Sequence, residues 1–192
     1  EKVAVLGDLS PLSTIERMHY YKSVCESLGV NPLTKPFDYL ELGDGENKKL
    51  KLYPNETCAA QLRDLKGITI DSRESEIVEG VYIVRVKGKD KTGRSDEAIG
   101  AVPLVEEDGE WKEGKRANGS TYRFFEKSGT EKPLGPLARA NAMKKAETQA
   151  KRRLALSLSG LGYNLTGVVL DLEDMPEAAT ILPQAVIDKP KQ

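Results

Sequence analysis

Reactive side chains are scarce in this chain. Its 192 residues hold one histidine, His19, and two cysteines, Cys25 and Cys58. A single histidine removes most zinc chemistry and leaves no persuasive serine–histidine–aspartate set. The cysteines fall in separate predicted helices without metal-ligand spacing, so they read as core thiols of a reduced, cytosolic protein. No run approaches about 18 consecutive apolar residues, the length a membrane span requires. No Gly-x-x-x-x-Gly-Lys-[Ser/Thr] loop occurs, so P-loop ATP hydrolysis is unsupported. The opening Glu1-Lys2-Val3-Ala4-Val5 shows neither an initiator Met nor a signal-peptide pattern, and the chain is expected to be an ordered fragment of a longer one.

What is present is charge, unevenly placed. Hydrophobic residues make up 39% and charged residues 31%, a composition suited to one domain with a real core and a busy surface. The net charge is −1, which by itself argues against a nucleic-acid binder. Residues 111–153, however, carry twelve Lys and Arg against four Asp and Glu, while residues 1–110 carry fifteen against twenty-one. A polyanion responds to the basic segment and not to the average. The acidic remainder could oppose the basic part of a neighbouring copy.

Periodicity predicts an α+β domain. A helix is expected over Leu12–Leu28, capped by Ser13 or Thr14, with Ile15, Met18, Cys25 and Leu28 at helical spacing and Gly29 as its stop. Phe37–Leu42 and Leu50–Tyr53 read as a hairpin around Gly43–Asn47. A short helix from about Asn55 to Lys66 turns Ala59, Leu62 and Leu65 inward. Ile68–Ile70, Val81–Val86 and Ala98–Val105 then form a three-strand meander. Residues 108–136 read as an inserted loop or irregular hairpin, and Leu137–Ser159 as the longest helix. The expected fold is an antiparallel sheet, hairpin plus meander, packed on a long central helix with short flanking helices. Residues 1–165 form the core domain and 166–192 an extended C-terminal segment.

The long helix carries the chemistry. At ~100° per residue, Met143, Ala146, Ala150, Leu154, Leu158 and Leu161 share one face, and the alanines let it approach a sheet closely. Lys144 and Lys151 form a row at its border; Lys145 and Arg152 form a second row further round. The reading is a helix clamped to a sheet whose outer flank presents about one cation per turn, with only Glu147 against them. Single-stranded nucleic acid needs such a track for its phosphates, with the bases left free.

The stretch Ala140-Asn141-Ala142-Met143-Lys144-Lys145-Ala146-Glu147-Thr148-Gln149-Ala150-Lys151-Arg152-Arg153-Leu154, followed by Ser157-Leu158-Ser159-Gly160-Leu161-Gly162, resembles the RecT-like phage single-strand annealing proteins. So do Tyr21-Lys22-Ser23-Val24-Cys25, Leu28-Gly29-Val30-Asn31-Pro32-Leu33 and Pro36-Phe37 upstream. Gly80-Val81-Tyr82, Gly93-Arg94-Ser95-Asp96-Glu97 and Gly100-Ala101-Val102-Pro103 look like that family's sheet. The likeness covers about residues 15–165, with a wider similarity to the eukaryotic Rad-family annealing protein. It implies ATP-independent binding and annealing of single-stranded DNA in phage recombination, without enzymatic turnover or cofactor. It implies a duplex intermediate on a homo-oligomeric ring or helical filament in the host bacterial cytoplasm. A phage exonuclease and the host single-strand-binding protein are the implied further partners. The helix cations matching the family pattern are Lys151 and Arg152, with Lys144 and Lys145 earlier. Arg153 lies nearer the packed face, and Arg63 and Lys66 are candidates for the groove's other wall. On this reading Lys151→Ala with Arg152→Ala abolishes annealing and leaves the fold intact. The 108–136 loop departs from the shortest members of that family and reads as a clamp over DNA or as a mere insertion, with the clamp favoured.

Two rivals stand beside it. A metal-dependent nuclease would use Asp90, Asp96 and Glu97, or the Glu110-Trp111-Lys112 pattern, although acids near turns are ordinarily solvated. A structural or oligomerisation protein would use the same helix as an interface and bind no DNA. The aromatics Tyr82, Trp111, Tyr122, Phe124 and Phe125 read as core and loop packing before base stacking, with Tyr82 half-buried.

Overall fold

The computed structural model describes residues 8–43, 48–161 and the backbone of 180–181. Helix α1 (Thr14–Leu28) starts on a capping box: Glu16 N–H donates to the Ser13 hydroxyl, and the Glu16 carboxylate accepts from Ser13 N–H. It stops at Gly29 in the left-handed conformation. Strands β1 (Phe37–Leu42) and β2 (Lys49–Pro54) pair antiparallel, Phe37 opposite Pro54 and Leu42 opposite Lys49. Most of the turn expected between them lies outside the described residues. Helix α2 (Glu56–Lys66) is capped by the Asn55 side chain and ended by Gly67.

The meander follows as β3 (Thr69–Val78), β4 (Val81–Lys89) and β5 (Ser95–Pro103), in that spatial order. Glu79 and Gly80, both at positive φ, make its first turn. Strand β3 is longer than the three residues its apolar pattern predicts. Next come β6 (Val105–Lys115) and β7 (Thr121–Pro133), which pair only with each other among the described residues. The expected loop is therefore a long two-stranded hairpin. Helix α3 (Pro136–Leu158) closes the core, and a two-residue strand, β8 (Thr180–Ile181), pairs with β1. The rest of the C-terminal segment lies outside the described residues.

The α+β architecture matches the expectation, with one refinement: the β1–β2 hairpin and the meander belong to separate antiparallel sheets. Two cores result. One gathers Leu9, Cys25, Val30, Phe37, Tyr39, Leu52, Cys58 and Leu62 with Leu156 and Leu161. The other gathers Ile68, Val84, Val86, Ala98 and Val102 against Ala146, Ala150, Leu154 and Leu158. Helix α3 contributes to both, so its C-terminal half is enclosed while its first turns, from Leu137 to Asn141, are exposed. Leu161 joins the first core and not the sheet-facing row predicted for it.

The small-residue seam is real on both sides. A Cβ on Gly100 would lie 2.0 Å from the Ala146 carbonyl oxygen and 2.8 Å from Ala150 N, so only glycine lets β5 come this close to α3. The inward assignment of Leu65 fails, and Ile15 and Met18, at helical spacing with Cys25, are exposed as well, because α1 and α2 bury only their opposite sides. Both thiols are free and buried, and burial pushes Cys58 up to about 12.

Candidate nucleic-acid interface

Helices α2 and α3 lie side by side. The valley between them opens as a groove of about 470 Å³, lined by Arg63, Lys144, Lys151 and Arg152 together with the carboxylates Glu56 and Glu147. Four of the seven expected cations therefore meet around one opening. Spacing explains this: Ala59, Ala60 and Arg63 share one face of α2, while Lys144, Glu147, Thr148 and Lys151 share one face of α3. The Arg63 Nε is buried with no acceptor among the described residues.

The cations do not all stand on an open outer flank. Arg152 is only 9% exposed. Its guanidinium lies over the Tyr53 ring, 5.1 Å from the centroid, and donates to the Tyr53 hydroxyl. In the second row Lys145 stays exposed, and Arg152 is covered because Tyr53 of β2 reaches over it; a one-sided periodicity argument sees only the meander. Lys151 bonds Glu147 at 2.5 Å, and Glu147 also takes Arg73 at 2.8 Å. These bonds, the one to Lys151 foremost, hold the Glu147 carboxyl below its usual range against the effect of burial. Lys144 is exposed on the groove wall, and Lys145 is exposed without lining the groove.

Arg153 serves the sheet. It donates to the Ile99 carbonyl at 2.5 Å, and Gln149, one turn earlier and buried, accepts from Ala101 N–H at 3.0 Å. Residues 99 and 101 point their backbone groups the same way, and β5 ends its sheet. Together the two side chains satisfy an otherwise open strand edge. Lys66 lies one turn past Arg63 and lines a second pocket, with Lys91 and Arg94. Periodicity does not reveal Lys91 and Arg94 as site candidates, because they sit in the β4–β5 turn, outside any periodic element.

The hairpin changes the charge reading. Its pairing brings Glu107 to Lys127 at 2.7 Å and Asp108 to Lys132 at 3.0 Å, and Glu126 pairs with Lys112. Two of the cations counted over 111–153, Lys127 and Lys132, are thus paired with acids just before residue 111. Trp111 is 63% exposed, and Tyr122 and Phe124 are exposed as well, so core packing does not account for them. Trp111 pairs with Phe125 across the strands and Tyr122 with Phe124 along β7, while Arg123 and Arg116 lie over the Trp111 and Tyr122 rings. Tyr82 is half-buried, as expected.

The acids proposed for a nuclease do not converge. Asp90 is used by its own turn, Asp96 accepts from the Ser157 hydroxyl, and Glu97 pairs with Lys87. Among the described residues no three His, Cys, Asp or Glu side chains group as a metal site would require. No described helix is long and apolar enough to cross a membrane. No family model, curated protein or solved structure matches the chain.

Proposed function

We propose that the protein is an ATP-independent single-strand annealing protein of the RecT-like kind, holding the backbone of single-stranded DNA in the α2–α3 groove and acting as a homo-oligomer. The observation that carries this reading is the meeting of Arg63 with Lys144, Lys151 and Arg152 around one open groove. A strand lying there bonds through its phosphates and leaves its bases available to a complement. Base pairing supplies the free energy of annealing. The protein lowers phosphate repulsion and keeps the strand unfolded, and many protomers multiply weak contacts.

Glu147 is compatible with this role. Its ion pairs are partly exposed, and such pairs contribute about 0.2–1 kcal/mol, a small barrier to exchange for a polyanion. Arg152 acts from beneath, as a fixed buried charge, while Lys144, Lys151 and Arg63 make the direct contacts.

The test is polarisation of a labelled oligonucleotide at low and high salt, with strand annealing in the absence of nucleotide. Binding should fall steeply with salt, and Lys144→Gln with Lys151→Gln should weaken binding and annealing together. Salt-insensitive binding, or full annealing by that variant, overturns the assignment. Cleavage of labelled DNA with magnesium would favour the nuclease instead.

A further inference from the structure

We infer that the strand's path does not end at the groove but continues into a second pocket at the C-terminal end of α3, where Lys66 and Lys91 take a backbone phosphate. This rests on the nucleic-acid reading of the groove. The pocket measures about 400 Å³ and lies at the far end of the same two helices. Arg63 and Lys66 are one turn apart on α2, and Lys151 and Leu158 are two turns apart on α3. The two openings therefore follow each other along one valley. From Lys144 to Leu158 the valley spans about 21 Å at 1.5 Å per residue. That holds about six nucleotides at the duplex rise per strand, and fewer when the strand is stretched.

The pocket is built from three separate elements. Lys91 N–H donates to the Lys66 carbonyl at 3.2 Å. Gly67, left-handed at φ 59°, leaves room for the Lys91 stem, which a Cβ there would meet at 3.2 Å. Two lysines from different elements are thus drawn together, and neither forms an ion pair with a described residue. The one carboxylate in the pocket, Asp90, is already occupied. It accepts from Thr92 Oγ1 at 2.6 Å, Thr92 N–H at 2.8 Å and Arg94 N–H at 3.1 Å. Arg94 donates to the Leu158 carbonyl and locks this turn to the end of α3. Ser159 also lines the pocket, with its Oγ buried and without a hydrogen-bond partner among the described residues.

A plainer account makes these cations complements of the helix C-termini. Arg94 fits it, since it touches the last carbonyls of α3. It does not account for Lys91, which belongs to the β4–β5 turn and lines the pocket together with Lys66. A phosphate in the pocket gives both lysines a counter-charge.

The experiment uses the full chain with labelled oligo-dT of about thirty nucleotides. For the wild type and Lys66→Gln/Lys91→Gln, the dissociation constant is measured across a salt series. The variant should bind about tenfold more weakly at low salt. Its slope of log affinity against log salt should flatten by about 0.7 for each phosphate that is no longer neutralised. Lys66→Arg/Lys91→Arg should keep the wild-type slope. Lys87→Gln, which removes a lysine paired to Glu97, should leave it unchanged. An unaltered slope in Lys66→Gln/Lys91→Gln, with Lys144→Gln still weakening binding, overturns this extension and leaves the groove standing. A wild type that binds no oligonucleotide overturns both. A flattened slope in Lys87→Gln equal to that of the pocket variant also overturns the extension, because bulk charge then explains the effect.

Discussion

Replacing Arg152 by alanine should damage the fold before it damages binding. The side chain is buried, stacks on Tyr53 and donates to its hydroxyl. A desolvated cation–aromatic contact contributes up to about 2 kcal/mol. A hydrogen bond from a charged donor adds about 1.5–3 kcal/mol. Relief of a buried charge offsets part of this. The net loss should be about 2–4 kcal/mol. For a chain of this length that lowers the melting temperature by about 4–16 °C. Lys151→Ala removes a partly exposed i,i+4 pair worth about 0.3–0.5 kcal/mol, or about 1–2 °C. The two neighbours therefore separate, and a Lys151→Ala/Arg152→Ala double variant would lose annealing partly by losing structure. Thermal melts followed by far-ultraviolet circular dichroism decide this. Tyr53→Phe and Tyr53→Phe/Arg152→Ala complete a cycle that isolates the coupling between Arg152 and the Tyr53 hydroxyl. An Arg152→Ala melt within about 1 °C of wild type, with no coupling to Tyr53, would refute the reasoning.

Glu147 predicts an acid-sensitive increment of stability. Its carboxyl is held below the ordinary glutamate value of 4.5, so it stabilises the fold above that pH, and the increment fades as pH falls through its folded-state value. Glu147→Gln should therefore melt lower than wild type at pH 7, by less than about 1 kcal/mol. The gap should narrow as the pH falls below 4.5, and a gap independent of pH would contradict the pairing. Gly100→Ala forces a methyl group onto the α3 backbone and should cost about 1–3 kcal/mol or more. Gly135→Ala, which meets nothing within 4 Å, serves as the control in the same melts. Equal melting temperatures for the two alanine variants would argue against the close approach.

The fold is legible where the chain punctuates itself. Gly29 and Gly67 end their helices, and the polar turns at Glu79–Gly80 and Asp90–Gly93 fall between the strands that the apolar pattern predicts. The apolar pattern shortens β3 because Asp71 to Glu76 is polar on both faces, and these residues are largely exposed. The β6–β7 hairpin is hidden for a related reason. It has no core face to impose alternation, and glycines interrupt it. Instead Phe125 covers Gly109 and Tyr122 covers Gly114, so each ring fills the space where a side chain is missing. Those contacts link residues eight to sixteen apart, beyond any local pattern. At the site, Arg63, Lys144 and Lys151 are readable as cations at helical spacing. The roles of Arg152 and Arg153 are not, since their partners, Tyr53 and the β5 edge, are supplied by distant segments.

Positions 151 to 153 show how narrow the margin between site and scaffold is. Each residue turns ~100° from the last. Lys151 faces the groove, Arg152 dives under Tyr53, and Arg153 reaches the edge of β5. A helix bordered by one surface could not divide three consecutive cations in this way. Helix α3 is bordered by two cores and a groove, so each direction has its own chemistry. The groove walls are then only as mobile as those cores: Leu62 and Leu156 hold the α2 side, and Ala150 and Leu154 hold the sheet side. A cation wall this well anchored meets a strand without first paying to order itself, and that favours a site built on packed helices over one carried by the exposed hairpin.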